Sequence, residues 1–222
     1  MTTQQVTSAA DDAPQLLRAG GHWPSMLVFA SIFASILAID LVVKYAAFEH
    51  VAGVPIVLDK QNPGDPYAIP YHDPVTVVPY ILSLRLTTNT GAVFGLGKGQ
   101  QWFFILISVV ATAVILRVFW RSRRSAWVYQ ICLAMILAGA LGNLYDRVVY
   151  RAVRDMLWLF PGVKLPFGLS WPGGVDELYP WLFNIADAAL VVSVMVLLVI
   201  LWREDRQRAI EQAATETVNP EG

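Results

Sequence analysis

The chain has 222 residues, 56% of them hydrophobic and 15% charged, with a formal net charge of −1. So large an apolar excess argues for a membrane protein, and a nearly neutral balance gives a nucleic acid or other polyanion nothing to hold. The one cysteine, Cys132, sits in an apolar run, which excludes a disulfide framework within the chain and reads as a small buried hydrophobe.

In chain order, the segment Met1–His22, with TTQQ and ADDAP, is polar and reads as a mobile head rather than a domain. Trp23–Phe48 is the first of four segments long and apolar enough to cross a bilayer, which takes about 20 helical residues. Its apolar stretch is too long for a cleavable signal and no small-residue cleavage site follows, so it reads as a retained helix. Asp40 and Lys44 lie four apart near its end, on one face and within ion-pairing reach.

The connection Glu49–Gln101 is rich in Pro and Gly at first (QNPGDPYAIPYHDP) and then extended. In ILSLRLTT, Leu82, Leu84 and Leu86 alternate with Ser83, Arg85 and Thr87, the period of a half-buried strand. Asn89-Thr90-Gly91 then reads as a turn, and the whole as a small sheet on the membrane surface. The second span is Trp102–Trp120, with Ser108 and Thr112 unremarkable inside it. Arg117, Arg121, Arg123 and Arg124 link it to the third, Ala126–Arg147. A second long connection, Val148–Pro180, leads to the fourth span, Trp181–Trp202, and a polar tail, 203–222. Tryptophans mark most of the span ends, as expected of rings that settle among lipid headgroups. No internal repeat indicates the inverted halves of a secondary transporter.

The arginine-rich link and the tail, with Arg203, Arg206 and Arg208, belong on the cytoplasmic side. Four crossings then put both termini in the cytoplasm and both long connections outside. Arg147, Arg151, Arg154 and Lys164 fall on the outer side against this rule. The three arginines recur at helical spacing and read as a stripe reaching toward lipid phosphates. The expected architecture is mainly α, a polytopic membrane protein of four helices with a small extracytoplasmic β element.

Polar side chains in a membrane segment are costly and turn toward a protein interior or a water-filled cavity. Asp40 and Lys44, Asn143, Asp146 and Arg147, Asn184 and Asp187, with Asn89 and Asp155 outside the spans, all fall at one membrane face under this topology. Asp40–Lys44 is equally a structural ion pair, and Asn143 with Asp146 is equally polar glue between helices. Asp187 enters the apolar run ALVVSVMVLLVIL with an amide but no cation beside it in sequence. Asp155 is nine residues past Asp146, so in one continuous helix the two would face opposite ways. Either Asp155 points away, or the chain turns and brings it over the same cavity as Asp187. In the second arrangement two close carboxylates share a proton: one deprotonates a water and the other donates to a carbonyl oxygen. Other chemistries find less support. His22, His50 and His72 fall in no metal-ligand spacing, Ser170 and Ser193 have no base beside them, and GLGKGQ lacks the rest of a phosphate loop.

With NTGAVFG at Asn89–Gly95, GALGNLYDR at Gly139–Arg147, Asp155 nine residues past Asp146, FNIADAAL at Phe183–Leu190, and the Asp40–Lys44 pair in DLVVK, the chain resembles the lipoprotein signal peptidases, or signal peptidase II, from about Asp40 to Val192. The resemblance implies an aspartyl endopeptidase of the bacterial cytoplasmic membrane that needs no cofactor or metal. Its substrates are the lipid-modified signal peptides of prolipoproteins, drawn from membrane lipid and cut just before the diacylglyceryl cysteine. By motif position Asp155 and Asp187 are the catalytic pair. Asn89, Gly91, Asn143, Arg147, Asn184 and Ala186 lie near the scissile bond, and Asp40, Lys44 and Asp146 are supporting partners. The chain departs from the pattern at Arg154, where an apolar residue is usual and where a guanidinium would favour the ionised form of Asp155. It departs also in two long insertions, 49–80 and 161–180, beside the expected entrance. The competing reading is a non-enzymatic membrane protein, either a proton-linked transporter or lipid-binding scaffold or an inactive relative. The polar groups crowd one face, and the inner helix halves are bare of charge apart from Arg117, which disfavours a transport pathway.

Overall fold

The computed structural model describes residues 18–63, 65, 67–91 and 101–218. Four helices carry it: α1 (Trp23–His50), α2 (Gln101–Arg121), α3 (Trp127–Tyr150) and α4 (Ile185–Val218). Each is long and apolar enough to cross a bilayer. The least apolar, α3, is the most buried and packs against the other three.

Small residues on α3 let its neighbours approach. A Cβ on Gly139 would stand 2.6 Å from the Ala186 carbonyl oxygen on α4, and one on Gly142 would stand 2.5 Å from Asp40 Oδ2 on α1. Lipid tails compete with any apolar side chain, so close backbone packing and polar contacts, rather than water exclusion, hold helices together in a bilayer.

Four antiparallel strands form one sheet in the order β1-β2-β3-β4: β1 (Val75–Val78), β2 (Leu82–Asn89), β3 (Val153–Leu159) and β4 (Leu182–Phe183). The expected strand and turn are present, but the simple alternation is broken. The β2–β3 register shifts between Leu84 and Thr87, so Ser83, opposite Trp158, is buried along with Leu86.

Three boundaries differ from expectation. The connection Val148–Pro180 is not merely a loop: α3 ends at Tyr150, Arg151 adopts a left-handed backbone (φ 59°, ψ 8°), and the chain turns into β3. The fourth helix starts at Ile185 rather than Trp181, because Leu182 and Phe183 pair with Trp158 and Leu157 of β3. Beyond Trp202 the tail continues as helix to Val218, exposed as far as Gln212, and residues 219–222 lie outside the described residues. At the other end residues 1–17 lie outside the described set, while Ala19 is fully buried and its N–H donates to the Ser122 carbonyl oxygen at 2.8 Å. Of the NTGAVFG motif, residues 92–95 lie outside the described set.

Two apolar clusters mark the ends of the bundle. Phe29, Ile115, Phe119, Leu133, Ala134 and Leu137 pack at the end bearing the α2–α3 link. At the opposite end Ala47 and Phe48 of α1 meet Leu86, Met156 and Leu157 of the sheet.

Candidate active site

Between the second cluster and the helices lies a buried polar lattice. Lys44 is its cation, fully enclosed, with Nζ 2.8 Å from Asp40 Oδ2, 3.2 Å from Asp146 Oδ2 and 3.1 Å from Asn143 Oδ1. The ammonium donates a hydrogen bond to Asn143 and stands within ion-pair distance of both carboxylates. Asp40 Oδ1 accepts from the backbone N–H of Ala186 at 2.9 Å, tying α1 to the start of α4. Ala186 is fully buried there, with no room for a longer side chain.

Asp146 is matched from the other side by Arg154. The guanidinium donates through Nη2 and Nε to Asp146 Oδ1 at 2.8 and 3.1 Å, and the backbone N–H of Arg154 reaches Asp146 Oδ2 at 3.0 Å. Arg154 is therefore not a lipid-facing anchor. It is 4% exposed, and its guanidinium lies 4.3 Å from the centre of the Tyr150 ring. Arg147 is likewise engaged, donating to the Asn143 and Gly91 carbonyl oxygens at 3.3 Å each and lying 5.0 Å from the Phe104 ring centre. Of the expected stripe only Arg151 is exposed. The helical spacing misled because α3 stops at Tyr150, and along a strand Arg154 and Asp155 leave on opposite faces.

That reversal settles the orientation of Asp155. It stands opposite Thr87 in the sheet, is 2% exposed, and its Oδ1 accepts from Asn184 Nδ2 at 2.7 Å. Asn184 is the hinge of the site. Its Nδ2 also donates to Asn143 Oδ1 at 3.1 Å, and its Oδ1 accepts the backbone N–H of Asp187 at 2.9 Å. In return Asp187 Oδ2 accepts the Asn184 N–H at 3.3 Å. This is a reciprocal cap at the start of α4, and NIAD before an apolar run is its sequence signal.

Asn143 completes the link. Its Oδ1 faces two donors, Lys44 Nζ and Asn184 Nδ2, so its Nδ2 must be the atom that reaches Asp187 Oδ1 at 2.8 Å. Two asparagines thus join the buried Asp155 to the half-buried Asp187. Burial, and then repulsion from Asp187, push the Asp155 carboxyl up from its ordinary 3.8 to about 8. Hydrogen bonds from Asn184 and Asn89 and the charge of Lys44 pull more weakly the other way. The Arg154 guanidinium points to Asp146 rather than to Asp155.

Every candidate residue lies at this junction. Asn89 Oδ1 accepts the Gly91 N–H at 2.9 Å, forming the expected turn, and Arg147 fastens that turn to α3. Sequence reasoning missed the structural part of Arg154 and the need for glycine at position 142. The run VRDMLWL is compatible with a strand but does not name the partner of Arg154, and the need for glycine had no local signal.

Four bilayer-length helices, a sheet over one end and a paired-carboxylate centre at their junction define a polytopic membrane protein with a built polar site at one face. A profile described as signal peptidase (SPase) II matches residues 32–203, and the chain belongs to that family. Among its relatives is the lipoprotein signal peptidase of Latilactobacillus sakei, 39% identical over 130 residues, which are 58% of this chain and 76% of that one. The lipoprotein signal peptidase of Lactiplantibacillus plantarum is 29% identical over 180 residues, 81% of this chain and 97% of that one. Two structures of bacterial membrane enzymes solved by the in meso method share the fold. Each is 25% identical, with TM-scores of 0.58 and 0.55, covering 83% and 78% of this chain and 90% and 91% of theirs.

Proposed function

We propose that this peptidase is an aspartyl endopeptidase that removes signal peptides from diacylglyceryl-modified prolipoproteins, cutting before the lipidated cysteine. The observation that carries this reading is the bridge from Asp155 through Asn184 and Asn143 to Asp187. It sets two carboxylates in unlike surroundings, the condition for one to act as acid and the other as base. The names of the relatives and the family membership supply the substrate class.

Asp155, buried and holding its proton to about pH 8, is the acid. Asp187 is more open and accepts hydrogen bonds on both oxygens, which suits the carboxylate that takes a proton from water. The water oxygen attacks the scissile carbonyl carbon while Asp155 gives its proton to the carbonyl oxygen. Collapse of the tetrahedral intermediate breaks the C–N bond as the proton held by Asp187 passes to the leaving amine and a hydroxyl of the intermediate returns its proton to Asp155. Asn143 and Asn184 orient the pair. Lys44, Asp40, Asp146 and Arg154 brace the asparagines without entering the chemistry.

Both termini are assigned to the cytoplasm and the site to the outer face of the membrane. The gathering of Arg18, Arg121, Arg123 and Arg124 at the opposite end, where Arg18 bridges to Arg123, supports this. The lipidated substrate then reaches the carboxylates sideways from the outer leaflet.

Cleavage of a diacylated precursor in proteoliposomes tests the proposal. Asp155→Asn and Asp187→Asn should each lower kcat by about 10³-fold or more, as loss of an acid or base does. A folded Asp155→Asn or Asp187→Asn protein that cut at the parental rate would sink the paired-carboxylate mechanism. Equal cleavage of an unlipidated precursor would instead remove the lipid requirement.

A further inference from the structure

The insertion between β3 and β4 is an ordered hairpin. Leu165 N–H donates to the Asp176 carbonyl oxygen at 2.7 Å and Leu178 N–H to the Val163 carbonyl oxygen at 2.7 Å. Lys164 Nζ meets Asp176 Oδ2 at 2.6 Å across the pair, and Trp171 closes a turn by donating its N–H to the Val175 carbonyl oxygen at 2.8 Å.

The end of this hairpin has an unusual composition for a surface turn. From Phe160 to Val175 the only charge is Lys164, which is neutralised by Asp176. Phe167 is 97% exposed and Leu169 58% exposed. Phe167 also holds a left-handed backbone (φ 60°), followed by Gly168 at φ 70°. A bulky residue is uncommon in that region, and here the conformation turns a ring outward with little protein contact to compensate it.

A row of rings joins this end to the start of α4. Trp171 stacks edge-on against Trp181 at 4.8 Å, Trp181 against Tyr179 at 5.4 Å, and Tyr179 against Phe183 at 6.0 Å. Phe183 lies two residues before α4 begins, so the row leads to the level at which a bilayer-length helix enters lipid. Tryptophan and tyrosine favour that level, and an apolar surface with no unpaired charge has nothing to offer an ionic partner.

We infer that the hairpin end, Phe167, Leu169 and Trp171, is a membrane-docking element that inserts into the outer-leaflet interface beside the site. The occupant of this apolar surface is the lipid bilayer. The sheet is thereby pinned to the leaflet from which a lipid-borne substrate arrives. The inference needs only the membrane embedding of the helices and holds whether or not Asp155 and Asp187 are the catalytic pair.

The test places a single cysteine at Phe167 or, separately, at Leu169, in a chain carrying Cys132→Ser. Each is labelled with an environment-sensitive fluorophore and reconstituted into phosphatidylcholine–phosphatidylglycerol vesicles. Both labels should emit as in an apolar medium, be quenched by a nitroxide near the lipid headgroup, and be shielded from aqueous iodide. A label at Asp73, on the other insertion, should show the opposite pattern. If both hairpin labels are iodide-accessible and insensitive to the lipid nitroxide, the docking element is disproved. Shielding that appears only after a precursor peptide is added also disproves it, and makes the hairpin a peptide-binding surface.

Discussion

The two ends of the bundle are held by different physics. At the end of the α2–α3 link, Phe29, Ile115, Phe119, Leu133 and Leu137 pack without directed bonds. At the other end Asp40, Lys44, Asp146 and Arg154 form a continuous chain of ion pairs, all but sealed from solvent. Apolar packing in lipid is forgiving, because a lost contact is partly replaced by another apolar contact. A buried charge lattice is not, because each member is compensated only by its partners. The difference teaches where rigidity is placed: the end that orients carboxylates has the less tolerant construction.

Lys44→Met should break this comparison most severely. It leaves Asp40 and Asp146 facing one another without their shared cation, at about 3–5 kcal/mol. Thermal unfolding in detergent should show the loss, and a midpoint near the parent's would mean that Arg154 alone suffices. Gly142→Ala should cost about 1–3 kcal/mol, since the added methyl meets Asp40 Oδ2 at 2.5 Å. The same measurement reads it, and the loss should shrink when Asp40→Ala is added, because the clash is then relieved.

The pH dependence of stability sharpens the contrast further. The folded-state value for Asp155 lies above its ordinary 3.8, so folding favours the protonated form. That contribution is complete below the ordinary value and is lost as pH rises through about 8. The unfolding midpoint should therefore fall by a few degrees as pH is raised across this window, and Asp155→Asn should flatten the slope. The smallest effect belongs to the apolar end: Ile115→Val should cost about 0.5 kcal/mol, the low end for that change. A larger loss there would show that packing at this end is as exacting as the lattice.

The four spans were legible because bilayer-length apolar runs leave little choice of structure, and Asp40 with Lys44 because a four-residue spacing on a helix fixes a common face. β3 was obscured by its position directly after a helix. The 3.6-residue period of α3, carried onward, makes Arg147, Arg151 and Arg154 look like one stripe, and only the left-handed Arg151 ends that continuation. The partnership of Arg154 with Asp146 depends on the strand folding back over α3, a contact across the fold that no local pattern encodes. The choice left open for Asp155 was resolved in the same way, through a register opposite Thr87 that depends on an irregularity between Leu84 and Thr87.

The reciprocal bonds between Asn184 and Asp187 have a consequence for genetics. Asp187 both finishes the first turn of α4 and carries a proposed chemical duty, so an alanine there erases two properties at once and its phenotype has two explanations. Asparagine keeps an oxygen able to accept the Asn184 N–H while losing the basicity and the bond from Asn143 Nδ2. At this position the near-isosteric change is therefore the informative allele, and a null result from alanine scanning says little about why the protein failed.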